Sequence, residues 1–311
     1  MKYKIGTRGS PLSLAQTNWV ISELKKKFPQ TEFDIITIKT KGDTDARPLF
    51  TINQKGIFEK EIDRAVAENK VDFAVHSLKD VPSELPEGLV LACIPKREAT
   101  NDIFISKDNS TLETIKKGAK VGTSSLRRAV QVSRKRPDLV VKPIRGNIET
   151  RIRKLQEGEF DGVVLAQAGI ARLGIDVKFE KLSTKDFPPS PGQGAIAIVS
   201  RKDSHALIET LKTIEDQDSR IAVEAERALS LFVDSGCRFP VGALAQIKGD
   251  KLTLEVTVYS IDGKQSINVE KIGDPLQAAE LGKQAAAELS QQGVAELAKH
   301  WRDKVEEWNK K

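Results

Sequence analysis

Cysteine is almost missing from this chain: there are two in 311 residues, Cys93 and Cys237. Two thiols make no disulfide framework, which suits a reducing compartment. Histidine is nearly as scarce, and His76, His205 and His300 stand far apart. With the cysteines they show no metal-ligand spacing, so no metal is expected. Aromatics are only 5% of the residues, and none interleave the arginine motifs as base-stacking platforms would. Nucleic acid is therefore not an expected partner. Apolar runs such as "AIAIV" (195–199) fall far below the roughly eighteen residues that span a bilayer, and "MKYKIGTRGS" has no apolar signal core. No membrane association is expected, and the expected location is the cytoplasm. The glycine-rich signatures of dinucleotide and P-loop sites are absent, as is a nucleophile elbow.

What is present reads as soluble and globular, with 39% hydrophobic and 30% charged residues. The length suits two or three domains. From Asp218 onward 13 basic residues face 15 acidic ones, whereas the rest of the chain has 37 against 29. The cationic surplus of the first two-thirds fits an anionic partner, or a lysine-rich solvated surface.

Two stretches echo each other. "KYKIGTRGSPLSLAQTNWVISELKKKF" and "GAKVGTSSLRRAVQVSRKRP" share a β run, Gly-Thr, small polar residues and an amphipathic helix. "ENKVDFAVHSLKD" and "EGEFDGVVLAQAG" form a second pair. A duplication and two independent α/β units both remain open. Strand–helix alternation predicts α/β domains with mainly parallel sheets. "GAIAIVSR" (194–201) reads as a returning strand after the Pro/Gly-rich crossover "DFPPSPGQG". Beyond Asp218, a helix, an alternating hairpin turning at Asp262-Gly263 and a helical end predict a small α+β domain that carries Cys237.

The stretch "VDFAVHSLKDVP" carries the most chemistry. Val71–Val75 reads as a buried parallel strand, with His76, Ser77, Lys79 and Asp80 at its carboxyl end, where open α/β sheets bind ligands. Asp80 is either a salt-bridged turn residue or a carboxylate aimed into a cleft. His76 reads as a packed, hydrogen-bonded histidine. Arg8, Arg127, Arg128, Arg145, Arg151 and Arg172 also sit at strand ends and helix starts, joined by the hydroxyls of Thr123 and Ser125. Helix N-termini favour anions, and arginine grips carboxylates in a bidentate fashion. The run "SRKRP" reads instead as a solvated helix face. Together these features point to a two-lobed cleft for a small, multiply carboxylated ligand. Read alone, Cys237 is either a small buried apolar residue or a reactive thiol, and Cys93 in "LVLACIPKR" reads as buried.

The stretches "GTRGSPLSLAQ", "KGIFEKEI", "VDFAVHSLKDVP", "VGTSSLRRA", "IRGNIETRIRKL", "SPGQGAIAI" and "SGCRFPVGA" occur in one order over essentially the whole chain. In this the sequence resembles the porphobilinogen deaminase (hydroxymethylbilane synthase) family. The resemblance implies two periplasmic-binding-protein-like α/β domains joined by crossover segments, and a small C-terminal α+β domain. Domain 1 would comprise 1–95 and 196–215, with the catalytic aspartate. Domain 2 would comprise 96–195, an arginine-rich cleft wall, and domain 3 would comprise 216–311, with the cofactor cysteine. The implied activity joins four porphobilinogen molecules head to tail, with loss of ammonia, to give linear hydroxymethylbilane in tetrapyrrole biosynthesis. The implied cofactor is a dipyrromethane, attached through a thioether to Cys237. By the same resemblance Asp80 is catalytic. Ser77, Lys79, Thr123, Ser125, Arg127, Arg128 and Arg172 hold cofactor, and Arg8, Ser10, Gln16, Lys55, Arg145, Arg151 and Gln193 hold substrate or chain. The expected state is a monomer.

The chain departs from the family pattern in Ser235-Gly236 before the cysteine, in Arg238-Phe239-Pro240 after it, and in Thr51 within "FTINQKGIF". A non-catalytic bilobed carboxylate-binding protein is the alternative, although it would need neither Asp80 nor Cys237.

Overall fold

The computed structural model describes residues 1–44, 59–233 and 240–297. The first lobe begins with β1 (Lys2–Thr7), α1 (Pro11–Lys27), β2 (Glu32–Thr37), α2 (Lys41–Thr44), α3 (Lys60–Ala67), β3 (Phe73–Ser77) and β4 (Leu89–Cys93). The second lobe follows with β5 (Asp102–Ser106), β6 (Lys120–Thr123), α4 (Leu126–Lys135), β7 (Val140–Pro143), α5 (Ile148–Gln156), β8 (Gly162–Ala166), α6 (Gln167–Leu173) and β9 (Glu180–Lys181). The chain then returns to the first lobe as β10 (Ile196–Arg201) and α7 (His205–Lys212). The third domain holds α8 (Gln217–Val233), β11 (Val241–Lys248), β12 (Lys251–Tyr259), β13 (Ser266–Gly273), α9 (Ala278–Gln291) and α10 (Val294–Leu297).

The strand orders explain the sequence echoes. The first sheet runs β2-β1-β3-β10-β4 and the second β7-β6-β8-β5-β9. Position by position, β6 stands where β1 does, β7 where β2 does and β8 where β3 does. In each sheet four strands run one way, and the remaining one, β10 or β5, runs against both neighbours. The sheets are thus mixed, because a strand entering from the other lobe arrives at the opposite end.

Strand β3 shows why its sequence is continuously apolar. Phe73 and Val75 face Val20 and Leu24 of α1, while Ala74 faces Ile62 and Val66 of α3. A strand covered on both faces needs apolar side chains at both phases of its two-residue period. The strand begins at Phe73 rather than Val71 and runs on through Ser77, because β10 pairs with it as far as Ile196 opposite Ser77. His76 therefore lies inside the sheet, where its Nε2 is 3.0 Å from Asp63 Oδ1 of α3, both buried.

The second sheet is sandwiched likewise, with Val132 of α4 on one side and Ile152 and Leu155 of α5 on the other. In the third domain α8 and α9 cover one face of an antiparallel sheet through Ala222, Ala225, Leu229, Ala285 and Leu289. The "SRKRP" run is not a purely solvated face. Arg134 Nη1 donates to Gly263 O at 2.8 Å, which ties α4 to the third domain, and Arg136 donates to the carbonyls of Leu112, Glu113 and Ile115.

Two crossover segments, 94–101 and 182–195, join the lobes side by side. Glu98 N donates to Gly194 O at 3.1 Å. Gly194 has φ of +85°, and a Cβ there would lie 2.4 Å from Glu98 O, so only glycine fits. The third domain leans on the same segment through Ala243 N, which donates to Pro189 O at 2.8 Å. No helix among the described residues is long and apolar enough to cross a membrane.

Candidate active-site cleft

Asp80 closes a single 3₁₀ turn, Leu78–Asp80, at the carboxyl end of β3. Asp80 and its neighbour Lys79 are both half-buried. Just before them, Ser77 and Gln16 of α1 bond each other, Gln16 Nε2 to Ser77 Oγ at 2.8 Å. Helix α1 reaches this point because Ser10 caps it, its hydroxyl accepting from Ser13 N at 3.3 Å, with Pro11 preset for the first turn. Ser10 thus has a structural task beside any contact with ligand. Arg8 lies half-buried directly after β1.

The second lobe supplies the opposing wall. Thr123 ends β6 fully buried, and its hydroxyl accepts from Ser125 N at 3.2 Å. Ser125 caps α4 through Arg128 N, which places Arg127 and Arg128 in the first turn. Both arginines converge on Asp102, the first residue of β5, which has no exposed surface. Arg127 Nη1 lies 2.8 Å from Asp102 Oδ2, and Arg128 Nε and Nη2 lie 3.0 and 2.8 Å from Oδ1. Gln193, wholly buried on the second crossover, completes the knot. Its Nε2 donates to Asp102 Oδ1 at 2.8 Å, and its Oε1 accepts from Arg128 at 3.1 Å. Burial would push the Asp102 carboxyl up, but the two guanidiniums hold it well below the usual carboxylate range.

Burial, and then Arg128, pushes Lys79 down to about 8, against the pull of Asp80 and Asp102. Burial, with Arg128 and Arg145, lowers Arg151 to about 10. Burial likewise lowers Arg172 to about 10, although Glu98 opposes the shift. These mutual influences unite Lys79 and Asp80 of one lobe with Arg127, Arg128, Arg145 and Arg151 of the other. Two of the group are aimed by backbone. Arg151 Nε donates to Gly146 O at 2.8 Å, and Arg172 Nη2 donates to Gly194 O at 2.6 Å. Arg127 Nε is buried without an acceptor. A ligand rich in carboxylates would relieve the repulsion, and a dipyrromethane with its acetate and propionate arms has that chemistry. Lys55 and Cys237 lie outside the described residues.

Three residues of the site gave no signal that spacing could detect. Asp102 reads in sequence as the polar start of an apolar strand, "NDIFI". Arg97 and Glu226 lie 129 residues apart, yet form a buried bidentate pair with Nη1–Oε1 at 2.8 Å and Nη2–Oε2 at 2.9 Å. Glu226 also accepts from Gly192 N at 2.6 Å and Ala245 N at 2.8 Å. One carboxylate of α8 thereby holds both crossovers and the strand that follows the Cys237 segment.

Comparison with known proteins adds a consistent set of matches. Residues 3–209 match the family model "Porphobilinogen deaminase, dipyromethane cofactor binding domain", and residues 220–291 match "Porphobilinogen deaminase, C-terminal domain". A probable porphobilinogen deaminase of Nitrosopumilus maritimus is 68% identical over 310 residues, covering 100% of both chains. The porphobilinogen deaminase of Geobacter sulfurreducens is 46% identical over 281 residues, covering 90% of this chain and 88% of its own. Among solved structures, an arginine-specific periplasmic binding protein of Salmonella typhimurium aligns with a TM-score of 0.40 and 15% identity, over 70% of this chain and 93% of its own.

Proposed function

Because this chain belongs to the porphobilinogen deaminase family, and is thereby an enzyme that polymerises porphobilinogen in tetrapyrrole biosynthesis, we propose that the cleft built around Asp80 and the arginine wall is where that reaction runs. The non-catalytic binding alternative is not favoured. The first two-thirds of the chain match the dipyrromethane cofactor-binding domain, and the cofactor itself supplies a free pyrrole carbon from which the chain of rings grows. Cys237 is the proposed thioether anchor, in the segment between α8 and β11.

The observation that carries this reading is the half-buried carboxylate of Asp80 beside Lys79 at the end of β3, together with Arg127 and Arg128 gathered on the buried Asp102. The two kinds of charge suit the two kinds of charge in the reaction. Carboxylate arms of substrate and growing chain bind Lys79, Arg128, Arg145, Arg151 and Arg172, joined by Arg8 and Lys55. Loss of ammonia from the aminomethyl group leaves positive charge on the reacting pyrrole. Asp80 accepts its N–H and stabilises that charge, and the same oxygen takes up the proton released when the new carbon–carbon bond restores the aromatic ring. Arg127, with Asp102, Gln131 and Pro188 O as acceptors, braces the wall. Ser77, Gln16, Ser10, Thr123, Ser125 and Gln193 set the loops that present these charges. The three sheets support a division into 1–95 with 196–215, 96–195 and 216–311. A cytoplasmic location, which a composition poor in cysteine supports, and a monomeric state, which the family resemblance suggests, are part of the same proposal.

Intact mass, with and without porphobilinogen, tests the reading on wild type, Cys237→Ala and Asp80→Asn. Wild type carries one dipyrromethane above its sequence mass, and Cys237→Ala lacks it. Asp80→Asn keeps the adduct and the fold but loses turnover by on the order of 10²–10³-fold. Near-wild-type turnover in Asp80→Asn would sink the role of this carboxylate.

A further inference from the structure

Helix α8 ends at Val233, immediately before the segment that contains Cys237. Glu226 anchors it to the crossovers, and the next residue reaches elsewhere. Arg227 Nη2 donates to Pro82 O at 3.0 Å and to Ser83 O at 2.7 Å. These are the second and third residues after Asp80. One helical turn earlier on the same face, Val223 is 1% exposed and packs in one cluster with Leu78 and Val81, which bracket Lys79 and Asp80. The turn bearing Asp80 is thus gripped twice from α8, by an apolar contact at its base and a polar one at its exit.

Beyond apolar packing of Leu78 and Val81 on Ile94, Ala195 and Ala197, the turn has few hydrogen bonds. Its own backbone bonds are Leu78 N to Ala195 O at 3.0 Å and Val81 N to Leu78 O at 2.9 Å. A lone 3₁₀ turn has poor hydrogen-bond geometry, and Pro82 has no N–H with which to extend it. A planar guanidinium can hold two carbonyl oxygens at once in a fixed direction. Burial lowers the pKa of Arg227, with Arg220 adding to the effect, so the bridge is kept against an electrostatic cost.

We propose that Arg227 is a positioning residue for Asp80: it locks the exit of the catalytic turn onto α8. The inference rests on the assignment of Asp80 given above.

Arg227→Gln and Arg227→Lys, purified as holoenzyme, provide the test, with wild type and Asp80→Asn as references. Mass confirms the covalent adduct, thermal melts confirm folding, and assays run well below the lowest melting temperature. Arg227→Gln is expected to keep its adduct and a KM within twofold. Its kcat falls on the order of ten- to a hundredfold, as a misplacement near 1 Å can cause. Every addition slows alike, because one carboxylate serves them all. Arg227→Lys recovers part of the loss, and in the Asp80→Asn background Arg227→Gln costs less than a further twofold. A folded, loaded Arg227→Gln with kcat within twofold of wild type overturns the proposal, and so does full additivity with Asp80→Asn. If Arg227→Gln fails to fold, Val223→Ala, which thins the apolar grip, is read by the same criteria. An active Asp80→Asn would remove the assignment of Asp80 itself. An inactive Asp80→Asn beside a wild-type Arg227→Gln would remove only the role of Arg227.

Discussion

At the scale of single residues, Lys79 is the group most open to measurement. Its folded value of about 8 lies below that of a solvated lysine because burial and Arg128 disfavour the charge. A lowered lysine means that the unfolded chain binds more protons between about 8 and about 10.5, so the contribution of Lys79 to stability rises with pH across that window. Replacing it with methionine should remove that rise in urea titrations, whereas an unchanged pH profile would contradict the shift. The functional consequence has the opposite sense. On the proposed role of Lys79, a charged amine would meet ligand carboxylates below pH 8, and a neutral one above it would not. KM for porphobilinogen should therefore climb above pH 8 in wild type and climb less in Lys79→Arg, whose charge persists. The residue scale also shows what spacing conveys poorly. The sequence put Arg127 and Arg128 at a helix start, but not Asp102 beneath them, because a buried counter-ion is chosen by its neighbours in space.

At the scale of elements, β11 is fitted to the second crossover by the lack of a side chain. A Cβ on Gly242 would lie 2.4 Å from Pro188 Cβ and 2.7 Å from Pro188 O. Neither neighbour can yield easily, since Pro188 O also accepts from Arg127 Nη1 at 2.7 Å and Gln131 Nε2 at 2.9 Å. Gly242→Val should force β11 away from the crossover and cost about 1–3 kcal/mol. Denaturant titration reads the loss, and intact mass should show a smaller cofactor-loaded fraction. Full stability in this variant would mean that the crossover is looser than its packing implies. The elements were largely readable, since apolar period, caps and turns act within a few residues. The start of β3 at Phe73 was not, because the extent of a strand depends on the strand beside it.

At the scale of the whole molecule, Glu226 joins parts that would otherwise move apart. It has no exposed surface and binds Arg97 of the first crossover, Gly192 of the second and Ala245 of the third domain. Removing one partner of a buried ion pair strands the other, at a cost of about 3–5 kcal/mol. Glu226→Gln should lose roughly that much and unfold in two resolved steps, the third domain separating from the lobes. Calorimetry that still gives a single transition at the wild-type temperature would refute the linkage.

The sequence by itself determined two α/β units with echoing motifs, the returning strand and the small third domain. Each of these follows from local propensity, periodicity or motif order. Only the tertiary structure decided how the charges are balanced: Asp102 beneath two arginines, Glu226 across three segments, and Arg227 on the carbonyls beyond Asp80. These pairings span 19 to 145 residues of chain. No local rule selects such partners, because the energy of a buried charge depends on which groups the fold brings within a few ångströms of it.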